Sequence, residues 1–410
     1  MQDVIVIGAG PAGATAARTL ARGGLRVQLL ERSRFPRNKP CGGGITIRAL
    51  DRFPWLAPAL SRITTHFISR LYLEGPTGRS VVLTSATPAV LMVRRLEFDE
   101  LLARLAAESG AELIEGAWVS RVAVDEDGVR IATRDGREFK GRYLVAADGV
   151  NGVVTRRLGM HAGWDGGLVA LDMMEETPNE VLRTAEPGTL WVAYGHGGTD
   201  GYGYIFPKRH HVNVGIGCLL SYFKERIDLP PYEMQQRFVT DLKARGMLVG
   251  SSSRSCFTPC HIPVGGPIRH TVRGRALVAG DAGGFVNAYT AEGIYYAMVS
   301  GDLAGRAIVE AVRAGGPREV ANAGRMYVRS WKQEIGAELR DSVLIQRYLF
   351  RDPARIEGVV GGAGSYPEVA QMIIAYATGT LSYRQARRRL LTQFPRVALK
   401  LGRIALAGRT

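Results

Sequence analysis

A glycine triplet near the start of the chain, Gly8-Ala9-Gly10-Pro11-Ala12-Gly13, constrains its fold more than any other feature. It stands between an apolar run at residues 3–8 and a helical pattern at residues 11–22, and a second apolar run at residues 27–30 ends at Glu31. Strand, helix and strand within about 30 residues is the size of a right-handed βαβ unit. In that setting Gly8 permits a tight turn, Gly10 lets the backbone approach a pyrophosphate, and Gly13 lets helix and strand pack closely. The pyrophosphate would rest on the helix N-terminus at Pro11 and Ala12, where free N–H groups favour negative charge. Glu31, followed by Arg32, is placed to accept hydrogen bonds from an adenosine ribose and to repel a 2′-phosphate. The plain alternative is a glycine-rich turn with no ligand.

The rest of the chain predicts an α/β protein, α+β overall. A helical pattern covers residues 98–109, and residues 118–147 read as a β meander with Asp-Gly turns that returns to a buried strand. Residues 163–267 read as an antiparallel sheet broken by one helix at 232–246. An apolar strand at 276–279 then leads into Gly280-Asp281 and a helix at 293–313, with helices almost to the end. The expected organisation is a discontinuous Rossmann-type dinucleotide-binding domain (residues 1–58, 89–163 and 268–315), an antiparallel β-sheet substrate domain (59–88 and 164–267) and a C-terminal helical region (316–410). The 410 residues suit two or three domains. With 46% hydrophobic and 22% charged residues, a disordered, collagen-like or disulfide-stapled chain is excluded. Four cysteines, Cys41, Cys218, Cys256 and Cys260, make no disulfide framework and point to a reducing compartment. Nothing before Val4 resembles the n-region of a signal peptide, and the longest uncharged stretch, residues 369–383, is too short to span a bilayer. The expected location is therefore cytoplasmic, with the inner face of the membrane within reach.

Several later motifs carry a resemblance. Gly280-Asp281-Ala282 through Glu292-Gly293-Ile294 is similar to the second FAD motif of aromatic-hydroxylase-type flavoproteins, Arg95-Leu96-Glu97-Phe98-Asp99 to their Arg-x-x-Phe-Asp helix start, and Ala147-Asp148-Gly149 to their middle Asp-Gly motif. Phe35-Pro36-Arg37-Asn38-Lys39-Pro40-Cys41-Gly42-Gly43-Gly44-Ile45 resembles the Lys-Pro-Cys-Gly-Gly stretch of the geranylgeranyl reductase family. Tyr202-Gly203-Tyr204-Ile205-Phe206-Pro207, followed after seven residues by Gly215-Ile216-Gly217, resembles that family's substrate motif, with Tyr204 in the Trp position. The resemblance covers most of the chain and implies a discontinuous FAD-binding domain, with FAD contacts at Ala12, Glu31, Cys41, Gly42, Gly44, Arg95, Val119, Asp281, Gly293 and Ile294. It implies an oxidoreductase that saturates C=C bonds of a geranylgeranyl or other polyprenyl chain with hydride from flavin N5, refilled by NAD(P)H or another electron donor. Two departures stand out: Ala288 where the family has Pro, expected to loosen the loop before the flavin helix, and Ala291 where it has Gly, adding a methyl near the ring.

Such chemistry needs an apolar pocket. Tyr202, Tyr204 and Phe206 alternate along a strand and suit one wall of it, with Pro207, Gly215 and Gly217 completing the substrate motif, although aromatics also fill ordinary sheet cores. Cys41 is the suggested proton donor, against its reading as a small buried residue packed on flavin. Cys256-x3-Cys260-His261 lacks a second ligand pair at zinc spacing, so no metal is expected. The competing readings are a flavin-dependent monooxygenase or halogenase, opposed by Gly284 where hydroxylases carry His and by Tyr202 and Tyr204 where the halogenase motif has Trp, and a non-enzymatic basic scaffold for lipid or nucleic acid.

The net charge of +15 is concentrated at the end. Residues 384–410 hold eight basic residues and no acidic one, with Val397, Leu401 and Ile404 at helical spacing beside Arg396, Lys400 and Arg403. That is the pattern of a basic amphipathic helix. It predicts peripheral membrane contact beside a prenylated lipid or isoprenoid substrate, with nucleic acid the least supported partner. A solvated helix packed on its own domain is the alternative.

Overall fold

The computed structural model describes residues 1–377 together with 380, 381, 385, 388, 389 and 392. The chain divides into two compact units, one of Met1–Lys39, Arg95–Val169 and Ile262–Val343, the other of Pro40–Arg94, Ala170–His261 and Leu344–Thr410.

The first unit is built on the strand Gln2–Ile7, whose Val4, Ile5 and Val6 are fully buried. It pairs in parallel with Val27–Leu30 on one side and Glu138–Ala146 on the other, and the sheet extends in parallel to Glu112–Ile114 and Ala276–Val278. Both faces of such a strand are covered, which is why it reads as an unbroken apolar run. The meander Val119–Val124 and Val129–Thr133 adds antiparallel strands to Glu138–Ala146, its turns carried by Gly128 and Gly136 at positive φ. The helix Pro11–Arg22 runs against Ile294–Ala314 so closely that a Cβ on Gly301 would lie 2.1 Å from the Ala12 carbonyl oxygen. The helix expected at 98–109 begins earlier, at Arg95–Glu108.

The second unit carries a seven-stranded sheet. Val169–Pro178, His211–Leu219, Gly201–Pro207 and Thr189–Tyr194 are antiparallel neighbours, but Thr189–Tyr194 pairs in parallel with Arg70–Glu74, so the expected all-antiparallel sheet is mixed. Two helices, Leu220–Arg226 and Pro231–Ala244, interrupt the region where one was expected. The first spans only seven residues, too few to show a helical period in sequence. One face of the sheet packs with Met234, Phe238 and Leu242 of the longer helix; the other presents Tyr202, Tyr204 and Phe206 with Leu190, Val192 and Met174.

The units divide the chain differently from the domains expected from sequence. Residues 40–58 fall in the second unit because Gly44–Thr46 pairs with Val90–Val93 and the Val93 N–H donates to the Gly43 carbonyl. The C-terminal region is shared out. Glu319 accepts from Arg142 and the Tyr143 hydroxyl, and Tyr327 donates to the Val278 carbonyl, which ties Glu319–Trp331 to the first unit. Pro353–Ser365 belongs to the second, where Glu357 accepts from the Thr77 N–H. The basic segment 384–410 lies, apart from single positions, outside the described residues. Among the described residues no helix is long and apolar enough to cross a membrane.

Asp200, at the start of the strand Gly201–Pro207, accepts from the Leu219 N–H, and burial pushes its carboxyl up to about 7. The folded state thus keeps a proton that the unfolded chain releases near pH 4, so this group's contribution is full in acid and is lost as pH rises from about 4 to about 7. Asp200→Asn is expected to raise stability by on the order of 1–2 kcal/mol at about pH 8, after discounting for solvent screening, and far less at about pH 5. Denaturant melts at both pH values check this; an equal shift at both contradicts it.

Candidate functional site

The cofactor motifs converge within the first unit. Gly8 has φ +93, and a Cβ there would lie 2.3 Å from the Ala147 carbonyl oxygen; a Cβ on Gly13 would lie 1.8 Å from the Gly8 carbonyl oxygen. Both glycines are required by the protein's own packing. Gly10 is different: nothing lies nearer to its missing Cβ than an Arg37 guanidinium nitrogen at 3.8 Å, and no side chain caps the helix that it opens. A residue with room for a side chain but lacking one, over free helix N–H groups, is the cradle that a pyrophosphate needs.

Glu31, 4% exposed, accepts from the Ala9 N–H and the Ser33 N–H at 3.0 Å each. An ion network continues from it. Arg37 lies 3.4 Å from Glu31 and 2.9 Å from Asp99, and fully buried Asp99 takes a bidentate fork from Arg95 at 2.6 and 2.8 Å. Charge-assisted, two-pronged bonds of this kind fix geometry as well as adding energy. The network draws the loop after the second strand and the start of the helix Arg95–Glu108 up to the glycine turn. Its ends, Glu31 and Arg95, stand out in the sequence, as does Asp99 as the last letter of the Arg-x-x-Phe-Asp helix start; the link through Arg37 does not.

The late motif joins the same place. A Cβ on Gly280 would lie 2.8 Å from the Ala12 Cβ, and one on Gly293 would lie 3.4 Å from Asp281 Oδ1, so Asp281 sits at the uncapped start of the helix Ile294–Ala314. Carboxylate, bare glycine and helix N-terminus together suit ribityl hydroxyls and the electron-rich edge of a flavin. These residues fit FAD. Ile294 is buried and opens the helix, whereas the Val119 side chain belongs to the core. Arg32 is exposed and lies over Trp118, 5.8 Å from its ring centre. Asp148 accepts from the Val153 and Val154 N–H groups and so serves its own loop, while burial raises its carboxyl.

One of the two departures resolves differently from expectation. Ala288 does not loosen its loop, because the N–H that a proline would lack donates to the buried Ser342 hydroxyl at 3.0 Å, and Asn287 accepts from the Tyr289 and Thr290 N–H groups just beyond. Ala291 has φ +54, the one non-glycine in the left-handed region among the described residues. An L-residue held there is strained by about 1–2 kcal/mol.

In the second unit, the Cys41 stretch packs onto the substrate motif. A Cβ on Gly42 would lie 2.5 Å from the Phe206 ring, Asn213 donates to the Cys41 carbonyl at 3.4 Å, and the Cys41 thiol accepts from the Gly43 N–H; Gly44 follows in the strand to Thr46. Phe206, Tyr204 and Tyr202 form a continuous aromatic row, with ring centres 4.5 and 6.1 Å apart. Pro207 is buried at the strand's end. Beside the row, buried Lys208 donates to Glu176, which also accepts from Arg94. Burial pushes the Glu176 carboxyl up, but Lys208 and Arg94 hold it below the ordinary range.

A family model described as an FAD binding domain matches residues 1–320. Digeranylgeranylglycerophospholipid reductase 2 of Methanothermobacter thermautotrophicus is 30% identical over 355 residues, covering 85% of this chain and 87% of the relative. Geranylgeranyl diphosphate reductase of Rhodobacter capsulatus is 32% identical over 333 residues, covering 79% and 80%. The chain belongs to the geranylgeranyl reductase family. The fold agrees: a geranylgeranyl bacteriochlorophyll reductase-like protein of Thermoplasma acidophilum superposes with a TM-score of 0.81 at 21% identity, covering 98% of this chain and 99% of that one. Membership in this FAD-binding family makes the chain a flavoprotein oxidoreductase.

Two sets of substitutions test the site. Gly13→Ala is expected to prevent folding of the first unit. Gly10→Ala costs about 1 kcal/mol or less in stability yet lowers FAD affinity at least about tenfold, read by flavin fluorescence titration. Tight FAD binding by Gly10→Ala would sink the pyrophosphate assignment. Restoring the family residue with Ala288→Pro is expected to destabilise by about 1–3 kcal/mol, Ser342→Ala by a similar amount, and the pair by less than the sum, since both remove one hydrogen bond. Thermal melts of the three variants check this.

Proposed function

We propose that the chain is an FAD-dependent reductase that saturates C=C bonds in a geranylgeranyl or other polyprenyl chain borne by a lipid, quinone, diphosphate or pigment. The observation that carries this reading is the aromatic row Tyr202–Tyr204–Phe206, backed by Leu190, Val192 and Met174 and continuous with the Cys41-Gly42 stretch. A prenyl chain has no charge or carbonyl for a protein to grip, so it is held by apolar area, at about 25 cal/mol per Å² buried. When bound and reduced, FAD supplies the hydride. The protein's residues hold the cofactor, align the alkene and exclude water.

The electron donor, NAD(P)H or another reductant, docks transiently, and the lipid substrate is met at a membrane surface through the basic segment 384–410. The names of the two relatives support prenyl reduction as the reaction class, and the exchange of Trp for Tyr204 leaves the substrate to this chain's own wall.

Protein reduced anaerobically with dithionite is expected to convert geranylgeranyl diphosphate, a geranylgeranylated glycerolipid or a menaquinone to products that gain pairs of hydrogens by mass spectrometry. Oxygen incorporation in air with no such gain overturns the reading in favour of a monooxygenase.

A further inference from the structure

The aromatic wall contains a carboxylate. Asp172 lies in the strand Val169–Pro178, two residues from Met174, and is 5% exposed. Tyr204 reaches it from two strands away. Its ring crosses His211–Leu219 at Gly215, where a Cβ would lie 2.4 Å from the Tyr204 oxygen, and its hydroxyl donates to Asp172 Oδ2 at 3.1 Å and Oδ1 at 3.3 Å. Gly215 of the substrate motif is thus explained: only a bare backbone lets the ring lie across the strand. The second glycine, Gly217, is paired directly opposite Asp172, and a Cβ there would lie 3.7 Å from Asp172 Oδ1, ordinary contact distance. Packing within the wall does not demand that glycine. Its absent side chain leaves a methyl-sized space against the carboxyl.

We propose that Asp172, oriented by Tyr204, is the acid that gives a proton to the substrate alkene. The inference rests on the reductase reading above. Reducing an isolated C=C bond adds a hydride to one carbon and a proton to the other. Here the Asp172 O–H bond breaks, a C–H bond forms at the second alkene carbon, and the carboxylate left behind accepts the Tyr204 hydroxyl. The electron pair of the other new C–H bond arrives with the hydride, and water reprotonates Asp172 after product leaves.

The acids around Tyr204 are Asp172, Cys260, Tyr202 and Cys41, contributed by four different segments of the unit. Among these types a carboxylic acid is the strongest, ordinarily near pH 4 against roughly 8.5 for a thiol and 10 for a phenol, and an alkene is a very weak base. That ordering favours Asp172 over Cys41. Tyr204 is itself excluded as the acid, because burial, with the Asp172 carboxylate next, pushes its hydroxyl well above its ordinary range and keeps it a donor. It is a positioning residue.

The test uses the FAD-loaded protein, reduced anaerobically and mixed with geranylgeranyl diphosphate or a geranylgeranylated glycerolipid in single turnover. Asp172→Asn is expected to retain FAD and slow saturation at least about 100-fold, within the range for loss of a general acid. The wild-type rate falls as pH rises through the Asp172 titration. Tyr204→Phe moves that fall to higher pH, because the carboxylate loses the donor that favours its charged form. A readout independent of turnover is the infrared band of a protonated carboxyl, expected in the wild type below the pH at which the rate falls and missing there in Asp172→Asn. Wild-type saturation with an undiminished rate in Asp172→Asn overturns the proposal alone, as does a pH profile that Tyr204→Phe leaves in place. No saturated product from the wild type with either substrate or with a menaquinone overturns the reading and the proposal together.

Discussion

The first unit depends on one close approach, between the turn at Gly8–Gly13 and the backbones around it. The helix Pro11–Arg22 can begin where it does only because the Gly13 Cα lies almost against the Gly8 carbonyl, and Gly8 only because the Ala147 carbonyl occupies the space that a side chain would fill. Ala12 then fits under Gly280 and Gly301, which brings the late motif and the long helix Ile294–Ala314 to the same spot. Backbone packing this tight has no freedom to relax, so two helix N-termini stay aimed at one volume. The candidate cofactor site is a by-product of the packing, and Gly10, the one glycine of the turn that the packing does not use, is left bare.

Electrostatics complete what packing begins. Glu31, Arg37, Asp99 and Arg95 alternate in sign and balance in charge, so a buried network is tolerable where a single buried ion would be costly. The same rule shapes the second unit. Glu176 between Lys208 and Arg94, and Glu74 with Arg245, are paired carboxylates near or within apolar walls. Asp172 receives the Tyr204 hydroxyl, a contact that orients its carboxyl within the aromatic wall.

The βαβ unit, the meander and the long helix of the first unit were legible because each is local: the pattern that forms the element lies within the element. The short helix Leu220–Arg226 and the parallel pairing of Thr189–Tyr194 with Arg70–Glu74 were not. The first is too short to show a period, and the second joins segments more than a hundred residues apart. Within the site, Glu31, Arg95, Asp281 and the aromatic alternation were visible as motif letters. Arg37, Asn213 and Asp172 were not, because a polar residue in a loop or an apolar strand acquires a role only from the partner brought to it.

The sequence by itself therefore determined the fold class, the family and the cofactor, since these rest on residue types at fixed short spacings. Tertiary structure decided what spacing cannot encode. It assigned residues 40–58 to the second unit through the pairing of Gly44–Thr46 with Val90–Val93, and it gave the Ala288 N–H a partner in Ser342. It also turned the Tyr204 ring across Gly215 onto Asp172. Each is a contact between distant segments, whose distance and direction exist only once the chain has closed on itself.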